Sequence, residues 1–398
     1  MKLTKPQSPV GILTHHWDCT NILTDPDTEC QPYDWPPMDA VSSQYPNNWQ
    51  PASIVDGDTE AQDLWNSIQN QVPSDVQVKG YQPGSLSGDF SGYNYPSNDP
   101  DCWWTYSGCD VPKHSGLAAD ITTMPEPDTL GYGFDDGPNC SHNVFYDFLE
   151  SRNQKATMFY IGSNVQNNPL QAQRAIVDGH QICVHTWSHQ YTTALNNTQV
   201  FAELYYGMQL FLILTNMIKF VTGVAPLCWR PPYGDVDDRV RAIAHALNMS
   251  TILWQYDSND WRAGYDGYTD QQVYQNYEDL ITRAKNGTFA EQGTIMLTHE
   301  LTNFTMHTAV TYHDQLAAVF KHLVPVGVGY NETHPYVESN YSVPTFEQCN
   351  AQPTSTSTST SSGSGISSGT SGATRAALHS AAVVISSALM GSLFVLHA

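Results

Sequence analysis

Basic side chains are scarce in this sequence. Its 398 residues include 16 lysines and arginines against 39 aspartates and glutamates, which gives a formal net charge of −23. Proteins that bind nucleic acid contact the phosphate backbone with clustered cations. The shortage of cations therefore excludes nucleic acid as an expected partner. The acidity would suit a protein that works beside a cationic polymer, although acidic surfaces are also common among soluble proteins in general.

Closely spaced cysteine pairs are also absent. None of the eight cysteines forms a CxxC pair, so zinc-ribbon and thioredoxin chemistry have no support. An even number of cysteines instead predicts disulfide bonds, and short loops favour the pairs Cys19 with Cys30 and Cys102 with Cys109. Seven Asn-x-Ser/Thr triplets favour the secretory route as well. Their asparagines, the predicted glycosylation sites, are Asn139, Asn196, Asn248, Asn286, Asn303, Asn331 and Asn340.

An apolar signal-peptide core is not visible in the first 30 residues, which carry prolines, histidines and aspartates where such a core would stand. At the other end, a Ser/Thr/Gly-rich stretch precedes an apolar tail, which is the pattern of a glycolipid (GPI) anchor signal. This pattern predicts an extracellular protein on the outer face of the plasma membrane. The candidate attachment residues are Ser368, Ser371 and Gly372, and a tail-anchored helix is the alternative.

Composition divides the chain into five segments. They are an irregular, aromatic- and proline-rich extension (1–128), a segment of strand and helix patterns (129–335), a closing segment (336–353), a Ser/Thr/Gly-rich stalk (354–380) and the apolar tail (381–398). The alternation of strand and helix predicts a parallel sheet, closed as a barrel, with chemistry at the carboxyl ends of the strands. The predicted strands are 130–135, 156–161, 181–185, 226–230, 251–256, 294–298 and 323–328. The predicted helices are 58–71, 143–152, 170–178, 198–216, 236–247, 270–285 and 308–321.

Carboxylates and imidazoles follow the first and third of these strands. Asp135 and Asp136 are adjacent, and neighbouring side chains of an extended backbone point in different directions, so one can bind a metal while the other acts as a base. Asp-Asp-Gly-Pro is equally a common turn sequence. His185 and His189 share a face if their segment turns helically, which would make a metal chelate.

Further polar groups follow the fourth, fifth and sixth strands. Arg230 precedes two prolines and is a rigid cation for a carboxylate, and the backbone N–H of Tyr233 is a candidate donor to an oxyanion. Asp257 and Asp260 follow the fifth strand, and His299 follows the sixth. Each signal is weak alone, because loop aspartates usually cap helices and a lone histidine is usually an ordinary polar group.

Together these segments resemble the five motifs of the polysaccharide deacetylase (NodB homology) family, carbohydrate esterase family four. The matching stretches are 134–138, 185–189, 230–234, 257–261 and 297–300. The resemblance covers residues 128–335 and implies a distorted (β/α) barrel. The aromatic extension, the stalk and the anchor signal are most similar to the fungal chitin deacetylases of this family, which implies a location in the cell wall.

The resemblance also implies a role for each catalytic residue. Asp136, His185 and His189 would bind a divalent metal ion, usually zinc, with cobalt as an alternative. Asp135 would be the general base toward the attacking water. His299 would protonate the departing glucosamine nitrogen.

The remaining motif residues would support this chemistry. Arg230 would hold Asp135 in place, and either Asp257 or Asp260 would pair with Arg230 or His299. The Tyr233 N–H would stabilise the oxyanion. Trp261 and Leu297 would form walls of the acetyl pocket.

The implied function is the hydrolysis of N-acetyl groups of chitin by a monomer. Peptidoglycan deacetylase and acetylxylan esterase share the motifs and are alternatives within the family. A cell-wall glycan-binding protein or adhesin without activity is an alternative from another class, although every expected catalytic position is filled. Trp103 and Trp104 in the extension could stack on sugar rings, but buried core aromatics are the commoner explanation.

Overall fold

The computed structural model describes residues 26–80, 85–208 and 217–350. The predicted stalk and tail with their three candidate attachment residues, Cys19, and the last part of the predicted helix 198–216 lie outside these residues. Within the described part of the chain, no helix is both long enough and apolar enough to cross a membrane.

Short strands and helices alternate through most of the described chain. The strands are β1 Thr123–Met124, β2 Thr129–Gly131, β3 Gly133–Gly137, β4 Thr157–Tyr160, β5 Gln181–Val184, β6 Cys228–Trp229, β7 Ser250–Thr251, β8 Tyr256–Asp257, β9 Gly293–Leu297 and β10 His322–Val324. The helices are α1 Pro26–Glu29, α2 Pro36–Asp39, α3 Thr59–Ile68, α4 Trp104–Ser107, α5 Asn143–Ser151, α6 Gly162–Asn167, α7 Pro169–Val177, α8 Asn197–Gly207, α9 Met217–Thr222, α10 Asp238–Ala246, α11 Asp270–Lys285, α12 Asn303–Ala317, α13 Val326–Gly329 and α14 Phe346–Asn350.

The parallel strands form a distorted barrel, as the sequence predicts. Strands β3, β4, β5, β6 and β7 pair in that order. The stretch that carries β7 continues into β8, which pairs with β9, and β9 pairs in turn with β2. A parallel bridge between Asp135 and His299 closes the ring beside β3. The carboxyl ends of these strands therefore meet at one rim.

Helix α11 shows how the local sequence sets an element. Thr269 stands at its N-cap and Gly287, with φ +76°, follows its end. Four of its side chains are buried at helical spacing and pack against the barrel, whereas the polar residues between them face outward. The buried residues are Val273, Tyr277, Leu280 and Ile281.

Two predicted strands are only partly correct. The stretch 251–256 holds only the end of β7 and the start of β8, which are separate strands. The stretch 323–328 begins as β10 but leaves the sheet after Val324, and Pro325 starts the short helix α13. The leucine and valines of this apolar run favour a strand in the sequence. The proline interrupts it, because it fixes φ and lacks an N–H for the sheet.

The N-terminal extension packs on the barrel instead of forming a separate body of its own. Its buried residues Met38, Tyr45, Ala52 and Trp65 belong to the same apolar cluster as the barrel helices. Trp103 is also buried, with 4% of its surface exposed, which agrees with the core explanation for that residue.

Three disulfides connect the described residues. Cys102 bonds to Cys109 as predicted, and Cys183 bonds to Cys228 across β5 and β6. The predicted pairing of Cys30 with Cys19 is wrong, because Cys30 bonds to Cys140. The chain distance of 110 residues explains the error, since loop length alone favours near neighbours while the fold brings distant segments together.

Candidate active site

The first motif owes its geometry to an irregular strand end. The register of β3 against β4 shifts between Asp135 and Gly137, and Asp136 adopts φ +71°. A side chain at Gly137 would clash, because a Cβ there would lie 2.6 Å from Tyr160 and 2.8 Å from Glu300. The irregularity separates the directions of the two carboxylates.

The second motif is a bent loop and not a helical turn, in contrast to the geometry considered from its spacing. Thr186 and His189 have φ of +63° and +56°, and the loop curls after β5. This curl still brings the two imidazoles together, with ring centroids 4.9 Å apart. The i, i+4 spacing therefore predicts the pairing of the rings but not the backbone that achieves it.

The three predicted metal ligands converge. Asp136 Oδ1 lies 3.4 Å from His185 Nε2 and 3.1 Å from His189 Nε2. One ligand atom from each residue lies within 4.8 Å of the other two. His185 Nδ1 is 2.7 Å from the carbonyl oxygen of Arg230, so Nδ1 carries the proton and the lone pair of Nε2 points toward Asp136.

This arrangement fits a cation. Asp136 Oδ1 is buried and accepts no hydrogen bond from the described residues, although such an atom is costly to bury without a partner. An imidazole lone pair and a carboxylate oxygen facing one another repel unless a positive ion lies between them. One carboxylate and two imidazoles form the ligand set of a catalytic zinc site, which leaves coordination positions open.

Asp135 is held next to these ligands by a buried arginine. Its Oδ1 accepts a 2.7 Å hydrogen bond from Arg230 Nη1, and its Oδ2 lies 3.7 Å from His185 Nε2. The Arg230 guanidinium lies over the ring of Phe159, 3.8 Å from its centroid, and also donates to the carbonyls of the β7–β8 stretch. One carboxylate oxygen is thus fixed while the other faces the ligand group.

His299 follows β9, beside Asp135, and is paired with Asp260. Its Nδ1 is 2.6 Å from Asp260 Oδ1, and its backbone N–H donates to Oδ2 at 3.0 Å. Burial alone would lower the pKa of His299, but the charge of Asp260 and its hydrogen bond outweigh burial and raise the pKa to about 10. The imidazole is therefore a proton donor at neutral pH.

The structure thus resolves the choice that the sequence left open between two aspartates. Asp260 pairs with His299, and Arg230 pairs with Asp135. Asp257 accepts a hydrogen bond from the backbone N–H of Asn259 at 2.7 Å. Burial raises the pKa of the Asp257 carboxyl to about 6.

The three predicted substrate-contacting residues differ in exposure. Tyr233 and Trp261 are 44% and 43% exposed at the rim, whereas Leu297 is 5% exposed at the end of β9. Tyr233 has φ +58°, and its hydroxyl lies 3.1 Å from His189 Nδ1. Its ring stacks on Tyr191 with centroids 4.0 Å apart.

Sequence reasoning missed two buried carboxylates behind the site. Glu300 accepts hydrogen bonds from the Asn139 backbone N–H, the Tyr146 hydroxyl and His142 Nδ1 at 2.8, 2.8 and 2.7 Å. Glu203, in the middle of α8, contacts the loop that carries the two histidines. Glu300 lies in the same motif as His299, so the sequence carried a signal for it. Glu203 lies in no motif, and nothing in the sequence around it indicates a role.

Comparisons with known proteins found a matching family model, similar named proteins and similar solved structures. The family model for polysaccharide deacetylase matches residues 123–252. "Chitin deacetylase 2" of Cryptococcus neoformans var. grubii is 51% identical over 331 residues, which cover 82% of this chain and 70% of that protein. "Chitin deacetylase" of Amylomyces rouxii is 43% identical over 319 residues, which cover 79% and 73%. A solved chitin deacetylase from Colletotrichum lindemuthianum aligns with a TM-score of 0.45 and 21% identity over 54% of this chain and 92% of its own.

Proposed function

Because this chain belongs to the polysaccharide deacetylase family, we propose that it hydrolyses the N-acetyl groups of chitin to give chitosan and acetate. Its relatives at 51% and 43% identity are named chitin deacetylases and align over more than two thirds of their own length. The observation that carries the proposal is the convergence of Asp136, His185 and His189 beside Asp135.

A divalent metal ion is the cofactor that this ligand set implies. We propose zinc as the native ion, with cobalt able to replace it, because two imidazoles and one carboxylate suit both ions. Asp136, His185 and His189 would hold the ion. A bound ion would polarise the acetamide carbonyl as a Lewis acid.

We propose Asp135 as the general base. Its Oδ2 faces the ligand group while Arg230 holds Oδ1, so one oxygen is available to take a proton from the attacking water. The water oxygen then forms a bond to the carbonyl carbon. The Tyr233 backbone N–H, which follows two prolines at the rim, is proposed to donate to the oxyanion that develops.

We propose His299 as the general acid. The collapse of the tetrahedral adduct breaks the C–N bond, and an amide anion is a poor leaving group without a proton. The charged imidazole, held by Asp260 at 2.6 Å, would give its proton to the glucosamine nitrogen. Trp261 and Leu297 are proposed walls of the pocket that receives the acetyl methyl group.

The experiment is a measurement of acetate released from chitohexaose by the full chain. We expect release that stops with a chelator and returns when zinc or cobalt is added. Binding of chitin without acetate release would favour a non-catalytic glycan-binding protein, and release that resists a chelator would contradict the metal mechanism. Acetylxylan and peptidoglycan tested in parallel would reveal a different polysaccharide substrate.

We also propose that the protein acts as a monomer outside the cell, in the cell wall and on the outer face of the plasma membrane. The three disulfides support an oxidising compartment. The apolar tail after the Ser/Thr/Gly-rich stalk supports a GPI anchor at Ser368, Ser371 or Gly372. Release from cells by a phosphatidylinositol-specific phospholipase would test the anchor.

N-glycosylation is proposed at the asparagines of the sequons, with a difference among them. Six of the seven are exposed, whereas Asn139 is half-buried beside the first motif. The Asn139 amide nitrogen, which would carry the glycan, donates to the Leu301 carbonyl at 2.7 Å. Peptide mass mapping would give the occupancy of each site.

A further inference from the structure

The loop that carries His185 and His189 is held from behind by one buried carboxylate. Glu203 lies in α8 with no exposed surface. Its Oε2 accepts hydrogen bonds from the backbone N–H groups of Trp187 and Ser188 at 2.9 and 2.8 Å. Its Oε1 accepts a bond from the Ser188 hydroxyl at 2.6 Å. Three of its hydrogen bonds therefore go to the loop between the two imidazoles.

The fourth hydrogen bond of Glu203 comes from the N-terminal extension. The backbone N–H of Ala52 donates to Glu203 Oε1 at 2.7 Å. The extension also contacts Trp187 directly, because the Trp187 indole N–H donates to the Asn47 carbonyl at 3.1 Å and Tyr45 stacks parallel to the indole, 5.8 Å between centroids. The carboxylate thus joins three segments: the helix, the metal-binding loop and the extension.

The loop needs such external support. Thr186 and His189 hold left-handed φ values, which cost free energy for residues other than glycine and persist only where the surroundings enforce them. A buried carboxylate is itself costly unless its oxygens accept hydrogen bonds. Glu203 supports the loop by accepting from the Trp187 and Ser188 backbone N–H groups. Its own burial is compensated because its two oxygens accept four hydrogen bonds in all.

We propose that Glu203 is a positioning residue for the metal centre, and that it acts together with the extension segment 45–52. This segment is defined by its contacts with Glu203 and Trp187. It then helps to hold the metal-binding loop in place. The inference rests on the proposed metal-dependent function, but it concerns how the ligands are held and not which substrate is cleaved.

The test is the Glu203→Gln variant of the full chain. Glutamine has the same shape, but its amide nitrogen cannot accept a hydrogen bond, so at least one of the backbone N–H groups of Ala52, Trp187 and Ser188 loses its acceptor, whereas the Ser188 hydroxyl can turn and accept instead. We expect zinc affinity to fall about 10- to 100-fold, the usual effect of losing a group that orients a metal ligand. We also expect the visible absorption spectrum of bound cobalt to change, since it reports the geometry of the ligands.

A matched control is Tyr206→Phe on the same helix. The Tyr206 hydroxyl accepts from the Val55 N–H and donates to Asp58, both at 2.9 Å. It therefore ties α8 to the same extension without contacting the metal-binding loop. We expect this variant to lose thermal stability while its zinc affinity and cobalt spectrum stay like those of the wild type.

A milder variant covers the case in which Glu203→Gln does not fold. Ser188→Ala removes one of the four hydrogen bonds, and we expect about a 10-fold loss of zinc affinity, at the lower end of the same range. A folded Glu203→Gln or Ser188→Ala protein with wild-type zinc affinity and cobalt spectrum would overturn the inference. An equal loss of affinity in Tyr206→Phe would also overturn it, because the effect would then be general loosening.

The proposed function fails by a different result. If the wild type binds zinc and the variants bind it weakly, but no glycan yields acetate, the positioning role stands and the deacetylase proposal falls. If acetate is released and the variants bind zinc normally, the reverse holds. A wild type that binds neither zinc nor cobalt would contradict both.

Discussion

Two buried charged clusters in this molecule differ in how their charges are balanced. In the first, Lys79 Nζ lies 2.5 Å from Asp237 and 3.1 Å from Asp101, and Arg239 Nε lies 3.9 Å from Asp237, so two cations face two carboxylates. In the second, Asp136 faces the Nε2 atoms of His185 and His189, and the lone pair of His185 Nε2 points toward it. The first cluster is almost fully buried, and in the second His189 keeps 19% of its side chain exposed. An excess of acceptors, and not the burial of charge, distinguishes the candidate metal site from a structural ion pair.

The largest effect is expected from a change at Asp135, which distinguishes its role from that of the metal ligands beside it. Asp135→Asn removes the base but leaves Asp136, His185 and His189 in place, so we expect acetate release to fall about 10²- to 10⁴-fold with zinc affinity retained. Steady-state rates and zinc titration measure the two properties. An unchanged rate would remove the base assignment, and a lost zinc affinity would place Asp135 among the ligands.

The next effect belongs to the balanced cluster. Lys79→Met leaves the Asp101 and Asp237 carboxylates buried without the lysine that they share. We expect the free energy of unfolding to drop by about 3–5 kcal/mol. The residual folded protein should bind zinc as the wild type does. Denaturant melts and zinc titration check this prediction, and a variant with normal stability would show that Lys79 does not balance this cluster.

A third change, Asp260→Asn, alters the protonation of His299 without changing a metal ligand. In Asp260→Asn the anion that raises the pKa of His299 is gone, so this pKa falls by about one to three units. Because the acid must be protonated, activity should be lost from a lower pH upward, with about a tenfold deficit at mildly alkaline pH and a smaller one under acidic conditions.

A pH–rate profile measures this shift. Asp257→Asn is the matched control, because Asp257 makes no hydrogen bond to His299 and acts on it only through its charge, so its alkaline limb should move less than that of Asp260→Asn. An Asp260→Asn profile with an unmoved alkaline limb would show that another group supplies the proton.

The smallest effect again concerns the balanced cluster. The single O–H of Tyr95 lies between the Asp99 and Asp101 carboxylates and is shared by them, and both keep other donors when it is removed. We expect Tyr95→Phe to lower the free energy of unfolding by about 1 kcal/mol with no change in acetate release. A thermal melt checks the size, and a loss several times larger would mean that the hydroxyl is essential to the cluster.

Local patterns in the sequence predict elements whose signals are local. The bounds of α11 were predicted residue for residue, because its cap, its apolar spacing and its stop all lie within the segment. The motif residues that follow the strands were also identified, since a barrel gathers strand ends at one rim. The resemblance to a known family supplied their proposed roles.

Features that depend on distant contacts escaped the sequence. The partner of Cys30 and the choice between Asp257 and Asp260 required the fold, because each depends on segments far apart in the chain. Glu203 is the clearest case: it lies inside a helix with no neighbouring motif, and its importance comes from donors on two other segments. Composition and periodicity carry no information about such a convergence.

The bond between Cys30 and Cys140 has a consequence for the order of synthesis. A chain grows from its N-terminus, so the extension leaves the ribosome more than a hundred residues before the cysteine that captures it. Its contacts with Cys140 and Glu203 can form only after these two residues have emerged. A fragment that begins after residue 128 would therefore lose the disulfide partner of Cys140 and the hydrogen bond from Ala52 to Glu203.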